Sequence, residues 1–266
     1  MSFIHPTAII EDGAVIGDDV YIGPYCTVSK DVKLANGVHL VSHVVVDGDT
    51  YIGEGTKIFP FSAIGTVPQD ISYKKGDKVK LIIGKNNTIR ENVLINPGTL
   101  KDEGVTIIGD NNLFMGSTHV AHDAKIGNHV IMVNQSMVAG HVIVEDHVII
   151  GGSTPVHQFV KLGEYSMIAG GAAVAQDIPP FCLAEGNRAK VKSLNIVGLR
   201  RNFSQDDINE LKKAFREVFR SEKGRKEVAK ELFENSKNEK VKQFCKFIID
   251  NKRGIPYERK NDVKNM

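Results

Sequence analysis

Residues 120–149 read VAHDAK IGNHVI MVNQSM VAGHVI VEDHVI when they are written in groups of six. Every group opens on an apolar residue, at Val120, Ile126, Met132, Val138 and Val144, and the fifth residue of every group is small or β-branched. Neither the α-helical period of 3.6 nor the strand period of 2.0 reproduces this spacing. The stretch therefore indicates a repeat architecture with a unit of six residues.

The period of six extends in both directions from this stretch. It covers 4–64, 83–95 and 108–174, with breaks over Thr66–Leu81 and near Leu100–Thr106. The in-phase apolar positions are Ile4, Ile10, Ile16, Ile22, Val28, Leu34, Leu40, Val46, Ile52, Ile58, Ile64, Ile83, Ile89, Ile95, Ile108, Phe114, Val120, Ile126, Met132, Val138, Val144, Ile150, Val156, Leu162, Ile168 and Val174. A set of this size in one phase does not arise by chance. The two breaks are predicted to be loops extruded from the repeat, and long loops in a compact repeat are usually functional.

A three-sided coil explains the period. Each hexad forms one flat side, three hexads form a coil of about 18 residues, and successive coils pair as parallel strands about 4.8 Å apart. The apolar residue then points inward and the small residue fits the corner. Such hexads resemble those of left-handed parallel β-helix proteins, and the left hand is taken from that resemblance because most crossovers are right-handed.

The hexads stop after Pro179 and Pro180. Ser204 followed by Asp207 predicts a helix N-cap, and further helices are predicted near Lys226–Phe233 and Val241–Ile249. The predicted organisation is an all-β left-handed parallel β-helix over 1–185, followed by a C-terminal helical domain over 186–266. Residues 254–266 are expected to form a frayed tail.

Charge and composition exclude several classes of protein. The net charge is only +2, so a dedicated nucleic-acid-binding protein is not expected. Residues 199–266, however, carry 19 Lys or Arg against 12 Asp or Glu, and this basic region suits either an acidic partner or a solvated helical face. The three cysteines show no disulfide or CxxC spacing. With no secretory signal and no apolar run long enough to span a membrane, a cytoplasmic protein is expected.

Six of the nine histidines fall between positions 119 and 157. None occupies an apolar or small hexad position, so each is predicted to lie at a corner or on the outside. Residues 18 apart should stack on neighbouring coils, which places His122 under Gly140, Asp123 under His141, and His129 under His147. An imidazole, a carboxylate and a glycine amide together suit general-base chemistry with stabilisation of an oxyanion.

There are two alternatives to general-base chemistry: a structural role for the histidines, and a zinc site. Single histidines at such corners are more often surface residues, and the pair His129 and His147 is expected to be structural. A zinc site, as in hexapeptide-repeat carbonic anhydrases, needs three histidines, two of them five residues apart, and this chain has no such spacing. A metal site is therefore not expected.

Four segments carry a more specific resemblance. They are His119-Val-Ala-His122-Asp123-Ala-Lys-Ile-Gly-Asn, Ala139-Gly140-His141-Val, Ile150-Gly-Gly-Ser-Thr-Pro-Val-His157-Gln158-Phe159 and Val174-Ala-Gln-Asp-Ile-Pro-Pro180. The chain resembles the UDP-N-acetylglucosamine 3-O-acyltransferase family, which opens lipid A biosynthesis. The resemblance covers the whole chain, including Ala63–Asp70, Gly186-Asn187 and Asn195–Arg201.

The resemblance implies a role for each site residue. His122 would deprotonate the sugar 3-hydroxyl, and Gly140 would stabilise the oxyanion formed on the thioester of a 3-hydroxyacyl group carried by acyl carrier protein. His122 and the sugar would be held by Asp123, His119, His141, His157 and Gln158. The uridine nucleotide would be bound by Asn195, Arg200 and Arg201, and the acyl 3-hydroxyl by Asp70. The resemblance also implies that neither a metal nor an organic cofactor is needed. The family forms homotrimers with the site between neighbouring prisms.

The chain departs from the family pattern at three places. Ser72 replaces a usual lysine, with Lys74 and Lys75 close behind, Val197 replaces a common glutamate, and the basic run at Arg200-Arg201 is one residue shorter. Which arginine contacts the nucleotide, and whether carbon 3 of the sugar bears a hydroxyl or an amine, therefore stay open. The alternatives from outside the family are the later N-acyltransferase of the pathway and a non-catalytic scaffold.

The acyl chain length is predicted from Gly170. In the family a bulky residue at this position shortens the preferred chain, and here Gly170 is followed by Gly171, Ala172 and Ala173. We expect a preference for 3-hydroxyacyl chains of about fourteen carbons, as in the glycine-bearing members, because each buried methylene contributes about 0.8 kcal/mol. Arg188 is the residue that could instead cap the groove.

Overall fold

The computed structural model describes residues 1–257 and shows a three-sided prism followed by helices. Three sheets form the prism faces, and within each face the strands of successive coils pair in parallel. The register joins residues 18 apart, as in the pairs Ile4 with Ile22 and Val120 with Val138. The predicted left-handed parallel β-helix with a helical C-terminal domain is therefore confirmed.

Most strands are only two residues long, since each hexad has one straight segment and one corner. Sheet 1 contains β1 Phe3–Ile4, β4 Tyr21–Ile22, β7 His39–Leu40, β10 Lys57–Ile58, β13 Thr88–Ile89, β16 Leu113–Phe114, β19 Ile131–Met132, β22 Ile149–Ile150, β25 Met167–Ile168, β26 Cys182–Glu185 and β27 Lys190–Leu194. Sheet 2 contains β2 Ile9–Ile10, β5 Thr27–Val28, β8 Val45–Val46, β11 Ala63–Ile64, β14 Leu94–Ile95, β17 His119–Val120, β20 Met137–Val138 and β23 Pro155–Val156. Sheet 3 contains β3 Val15–Ile16, β6 Lys33–Leu34, β9 Asp49–Ile52, β12 Lys80–Ile83, β15 Val105–Ile108, β18 Lys125–Ile126, β21 Ile143–Val144 and β24 Lys161–Leu162.

The core of the prism is the stack of apolar hexad residues. From Ile22 to Val174 these side chains are at most 3% exposed, whereas Ile4, on the open first coil, is 45% exposed. Burying a Val, Leu or Ile side chain contributes about 1.5–3 kcal/mol, so the stack supplies most of the stability of a structure with such short strands.

Three lines of corners run along the prism. Corner A joins sheets 1 and 2, corner B joins sheets 2 and 3, and corner C joins sheet 3 to sheet 1; in the coil that begins at Ile131 they comprise 133–136, 139–142 and 145–148. Most corners place one residue in the left-handed backbone region, where Asn, Asp and His are enriched among residues other than glycine. The residues with positive φ around the site are Ser117, Gln135 and Ser153 at corner A, Asp123, His141 and Phe159 at corner B, and His129, His147 and Tyr165 at corner C.

The two breaks in the hexad period are loops inserted into the coils. Ile58 pairs with Ile89, 31 residues on, and Ile89 pairs with Phe114, 25 residues on, instead of 18 in both cases. The pairing of β12 with β9 and β15 shows that sheet 3 continues without interruption past both insertions. The loops over 65–79 and 97–104 therefore leave the prism intact and add groups to its outside.

The C-terminal part begins with an antiparallel hairpin, β26 and β27, on the end of sheet 1. The helices are α1 Ile196–Asn202, α2 Gln205–Arg220, α3 Arg225–Asn235 and α4 Glu239–Asp250. Ser204 caps α2 as predicted, because its hydroxyl accepts a hydrogen bond from the amide of Asp207. The short helix α1 was not predicted. No helix among residues 1–257 has the length and apolar character needed to cross a membrane.

The expectation of a frayed tail from Gly254 is wrong for residues 254–257. The Gly254 carbonyl accepts from the amide of Asp177, and the Pro256 carbonyl accepts from the amide of Val191. This segment returns to the prism because Asn251, at the end of α4, donates its side-chain amide to the buried Asp177 carboxylate. Residues 258–266 lie outside the described residues.

Candidate active site at corner B

The stacking expected from the repeat is present at corner B. A Cβ atom on Gly140 would lie 2.5 Å from Cε1 of His122, so the imidazole packs directly against that backbone. The rings of His122 and His141 meet edge to face with centroids 5.3 Å apart. His129 and His147 also stack, with nearly parallel rings whose centroids are 4.8 Å apart, but at corner C. The 18-residue repeat therefore correctly predicted both that His122 lies against Gly140 and that His129 stacks on His147.

Asp123 is the buried centre of the site. It is 3% exposed, and its carboxylate accepts hydrogen bonds from the amide and the hydroxyl of Thr99, at 2.8 and 2.7 Å. Its own amide donates to the hydroxyl of Thr106. A buried carboxylate is costly unless it is hydrogen-bonded, and these donors satisfy it and fix its position.

The carboxylate of Asp123 determines how His122 presents its ring. Nδ1 of His122 lies 2.8 Å from Oδ2 of Asp123 and donates its proton there. Nε2 then carries a lone pair, and the nearest carboxylate to it, Oδ2 of Asp70, is 3.6 Å away, beyond hydrogen-bonding distance. A histidine held in this tautomer with an uncommitted Nε2 has the arrangement of a general base.

His141 is fixed from two sides. Its ring stacks on Phe159 of the next coil with centroids 4.4 Å apart. Its Nδ1 lies 3.1 Å from Oδ2 of Asp102, and the pKa of that carboxyl is lowered mainly by this hydrogen bond. Its Nε2 is 3.8 Å from the carboxylate of Asp123. His141 is thus held at the edge of the site between Asp102 and Asp123.

The first extruded loop brings Asp70 to the same corner. Its carboxylate accepts from the hydroxyl and the amide of Ser72 and from Nζ of Lys101, 3.0 Å away. The pKa of Asp70 is well below its usual range, first because of the Ser72 hydrogen bonds and then because of Lys101. Ser72 stands where the family usually has lysine, and Lys101 of the second loop supplies a cation at Asp70 instead.

The second loop contributes residues that sequence reasoning missed. Over 97–104 it supplies Thr99 to Asp123, Lys101 to Asp70 and Asp102 to His141. Next to these, Glu103 pairs with Lys125 at 2.8 Å. The break in the period marked the loop, but stacking by 18 residues cannot place a residue outside the coils.

A groove of about 510 Å³ runs from corner B across sheet 2. Polar groups stand at its corner B end, where His122, His157 and Gln158 line it, and its floor is apolar, with Met137 and Ala173. His119, also predicted, lies on the same face with Nδ1 3.2 Å from the carbonyl of Leu94. A polar end joined to an apolar floor suits a ligand with a polar head and an apolar chain.

His119 makes folding stability depend on pH. Burial lowers its pKa below the ordinary 6.5, an effect to which His122 adds and which the Leu94 carbonyl opposes. Below about pH 6.5 the unfolded chain therefore binds a proton that the folded chain does not, so stability is lost as the pH falls from this value towards the folded pKa. We expect His119→Gln to make the fall of Tm between pH 7.5 and 5.5 shallower, at one fixed protein concentration. One proton corresponds to a slope of at most about 1.4 kcal/mol per pH unit.

His39 and His147 also have lowered pKa values and contribute to the wild-type slope. Only the difference between wild type and variant is therefore assigned to His119. Equal slopes in the two proteins would contradict the prediction.

The remaining predicted residues lie away from His122 within one chain. Gly170 is exposed at corner A, three residues before Ala173 of the groove, and Arg188 pairs with Ala173 through its backbone. Arg200 and Arg201 are exposed on α1. The structure thus brings together the residues of corner B, sheet 2 and the two loops, and leaves α1 elsewhere on the prism.

Asn195 has a structural position at corner C. It is only 7% exposed, its side-chain oxygen caps α1 by accepting from the amide of Gly198, and its side-chain amide donates to the carbonyl of Tyr165. Both polar ends of the side chain are engaged within the chain. A contact between Asn195 and a nucleotide stays a prediction.

Among the described residues, one group has the spacing to hold a metal ion. His122, Asp123 and His141 each offer a ligand atom, all within 4.8 Å of one another. The 2.8 Å between His122 and Asp123 is a hydrogen-bond distance, shorter than the roughly 3.3 Å that separates two ligands of a tetrahedral zinc ion. The present geometry therefore fits an imidazole oriented by a carboxylate better than a metal centre.

Comparison with protein families matches two regions of the chain. Residues 177–256 match the model described as UDP N-acetylglucosamine O-acyltransferase, domain 2. Residues 1–30 and 13–48 match the bacterial transferase hexapeptide model of six repeats.

Similar proteins cover nearly the whole chain. An acyl-(acyl-carrier-protein)–UDP-N-acetylglucosamine O-acyltransferase of Sulfurovum sp. is 52% identical over 98% of this chain and all of the relative. The enzyme of the same name from Campylobacter concisus is 47% identical over 98% of this chain and all of the relative. The solved UDP-N-acetylglucosamine acyltransferase of Campylobacter jejuni has a TM-score of 0.92 at 50% identity, covering 97% of this chain and 100% of that one. The Francisella novicida enzyme has a TM-score of 0.94 at 35% identity, covering 98% and 96%.

Proposed function

The chain belongs to the UDP-N-acetylglucosamine O-acyltransferase family, and on that basis we propose that it transfers a 3-hydroxyacyl group from acyl carrier protein to the 3-position of UDP-N-acetylglucosamine or its 3-amino analogue. This is the reaction that opens lipid A biosynthesis. The observation that carries the proposal is the pair His122 and Asp123, 2.8 Å apart, with Nε2 of His122 at the end of an apolar groove.

The proposed reaction needs one base and one oxyanion donor. Nε2 of His122 takes the proton from the sugar 3-hydroxyl, or from the 3-amine, as that group attacks the thioester carbonyl. The Asp123 carboxylate keeps Nδ1 protonated and stabilises the imidazolium that forms. Gly140, whose backbone lies against the ring, offers its amide to the oxyanion. The intermediate collapses, the carbon–sulfur bond breaks, and His122 returns the proton to the leaving thiolate.

Asp70 is proposed to bind the 3-hydroxyl of the acyl group. It reaches to 3.6 Å from Nε2 of His122, so a hydroxyl held there sits beside the reacting carbonyl. Nζ of Lys101 pairs with this carboxylate at 3.0 Å, so the second loop helps to hold Asp70 beside His122.

The nucleotide is proposed to bind across two subunits of a homotrimer. Arg200 and Arg201 are exposed on α1 and suit a diphosphate, but the N-cap of this helix, Asn195, contacts Tyr165 at corner C and not corner B of the same chain. A neighbouring prism could present them to the groove. The basic region 199–266 is proposed to face acyl carrier protein, and the three free, buried cysteines fit a reducing cytoplasm.

A turnover assay tests the proposal directly. Purified protein is mixed with 3-hydroxyacyl thioesters of acyl carrier protein and either UDP-N-acetylglucosamine or its 3-amino analogue, and the acylated product is quantified by mass spectrometry. Turnover with either sugar is expected, and the ratio of the two kcat/KM values identifies the acceptor. The absence of turnover with either sugar would reject the function.

Gly170→Met is expected to shorten the preferred acyl chain. A Cβ at position 170 would meet the Gly152 carbonyl at 3.3 Å, so a long side chain must extend outward over the corner A end of the groove. With about 0.8 kcal/mol per methylene, the ratio of kcat/KM for fourteen over ten carbons should fall by at least tenfold, an estimate that allows for entropy costs.

The measurement compares ten-, twelve-, fourteen- and sixteen-carbon thioesters on wild type, Gly170→Met and Asn134→Met. Asn134 is the exposed residue two coils away on the same corner, so its variant serves as the matched control. An unchanged preference in Gly170→Met would place the chain-length determinant elsewhere, with Arg188 as the next residue to test.

A further inference from the structure

The segment after α4 is built onto corner B. The side chain of Asn251 donates to Asp177 at 2.6 Å and its oxygen accepts from the amide of Gly254 at 2.8 Å. The Gly254 carbonyl in turn accepts from the Asp177 amide at 3.1 Å. These bonds form a closed ring between the end of the helical domain and the last coil, so the position of the intervening residue 253 is fixed.

Gly254 is required for this turn. Its φ is +91°, which residues with a side chain rarely adopt, and a Cβ there would lie 2.5 Å from the side-chain nitrogen of Gln176. The turn directs the side chain of Arg253 along corner B, where its Nε donates to the carbonyl of Ala175 at 3.0 Å. Ala175 lines the same groove as His122.

The guanidinium of Arg253 ends on a histidine of the groove. Its Nη2 lies 2.8 Å from Nδ1 of His157, and arginine is only a donor, so Nδ1 must accept. Nδ1 is also 3.2 Å from the carbonyl of Gln158, but both contacts cannot be hydrogen bonds, since that carbonyl needs a donor. The charged donor decides the matter: His157 is neutral, with its proton on Nε2.

We propose that Arg253 is a positioning residue for the nucleotide sugar, because it holds His157 as a neutral Nε2–H donor to an oxygen of that substrate. The inference rests on the proposed function. His157 is exposed and lines the groove beside His122, so its Nε2–H faces the space in which the sugar would lie. Without Arg253, either ring nitrogen can carry the proton and the ring is no longer anchored through Nδ1, so the sugar loses a donor of fixed direction.

The kinetic test uses Arg253→Met, Arg253→Lys and, as a matched control with the same charge change, Lys252→Met on the exposed neighbouring residue. We expect Arg253→Met to raise KM for the nucleotide sugar roughly tenfold, because the His157 ring loses both its fixed tautomer and its anchored orientation, and the sugar thereby loses a hydrogen bond. KM for the acyl carrier protein thioester and kcat should change less than threefold. Arg253→Lys should restore part of the loss, and Lys252→Met should leave KM for the nucleotide sugar at its wild-type value.

A purely structural role of Arg253 would lower Tm without this selective effect on one substrate. A second measurement reads the histidine itself: two-bond proton–nitrogen correlation spectra of protein labelled with ¹⁵N-histidine, in which His157→Gln assigns the signal. Wild type should show His157 protonated on Nε2, and Arg253→Met should show a mixture of the two tautomers.

The two hypotheses fail separately. Absence of wild-type turnover rejects the proposed function. An active wild type together with an unchanged nucleotide-sugar KM in Arg253→Met, or a wild-type His157 that carries its proton on Nδ1, overturns the role of Arg253.

Discussion

Replacing His122 by alanine is expected to lower kcat by about 10²–10⁴-fold, the usual effect of removing a general base, while the protein keeps its assembly state and its Tm within a few degrees. The ring packs against Gly140, but Asp123 keeps its two hydrogen bonds from Thr99 and the backbone ladder of the coil does not involve the imidazole, so we expect the fold to persist. The loss therefore reports on proton transfer. It is measured as turnover under saturating concentrations of both substrates.

His129→Ala is the matched control for this variant. His129 stacks on a histidine of the next coil, as His122 meets His141, but it lies at corner C, and its backbone is left-handed whereas that of His122 is not. We expect its activity to stay within twofold of wild type. A His122→Ala protein with more than half of the wild-type kcat would remove His122 from the mechanism.

Gly140→Ala is expected to lower kcat by about 10²-fold or more, comparable to the loss of an oxyanion donor. The added Cβ would lie 2.5 Å from Cε1 and 2.8 Å from Nε2 of His122, both far inside van der Waals contact. The ring cannot retreat without breaking its 2.8 Å hydrogen bond to Asp123. One methyl group therefore displaces the base and moves the backbone amide at once, and small displacements at a reacting centre are costly.

Gly116→Ala controls for the general effect of filling a glycine on a coil corner. A Cβ at Gly116 would meet only the side-chain amide of Asn134, at 3.2 Å, and the Glu91 carbonyl, at 3.5 Å. We expect wild-type kcat for this variant. Comparing Tm separates a local effect from misfolding: if Gly140→Ala loses activity only in proportion to folded protein, the close approach of Gly140 to His122 has no catalytic meaning.

The second extruded loop connects these two predictions. Thr99 holds the carboxylate that orients His122, Asp102 holds His141, and Lys101 holds Asp70. Three contacts from one short loop thus hold the side chains that surround His122. The base, by contrast, stands on the prism, where parallel strands and stacked side chains keep its backbone rigid.

The sequence by itself determined the prism and the relative positions of the site residues that lie on its coils. A strict period of six fixes an 18-residue coil, and because every inward position must be filled by the buried apolar residue, the register between coils cannot slip. That constraint places His122 against Gly140 and Asp123 beside His141 from their sequence numbers alone. The spacing thus predicted which side chains meet, and the family resemblance predicted the reaction that they catalyse.

Only the tertiary structure decided how the coils are completed by segments outside the period. Asp70, Thr99 and Lys101 lie in insertions, where no repeat relates a residue to its neighbours in space. The backbone there follows specific hydrogen bonds between side chains, which a periodic pattern cannot encode.

The same reason applies most strongly to Arg253 and His157, which meet across 96 positions of the chain. Their contact depends on the length and packing of four helices, on the buried Asp177 and on the left-handed turn at Gly254. A repeat fixes neighbours because each coil has the same length. Helices and loops of unequal length fix theirs only through the packing of the folded chain.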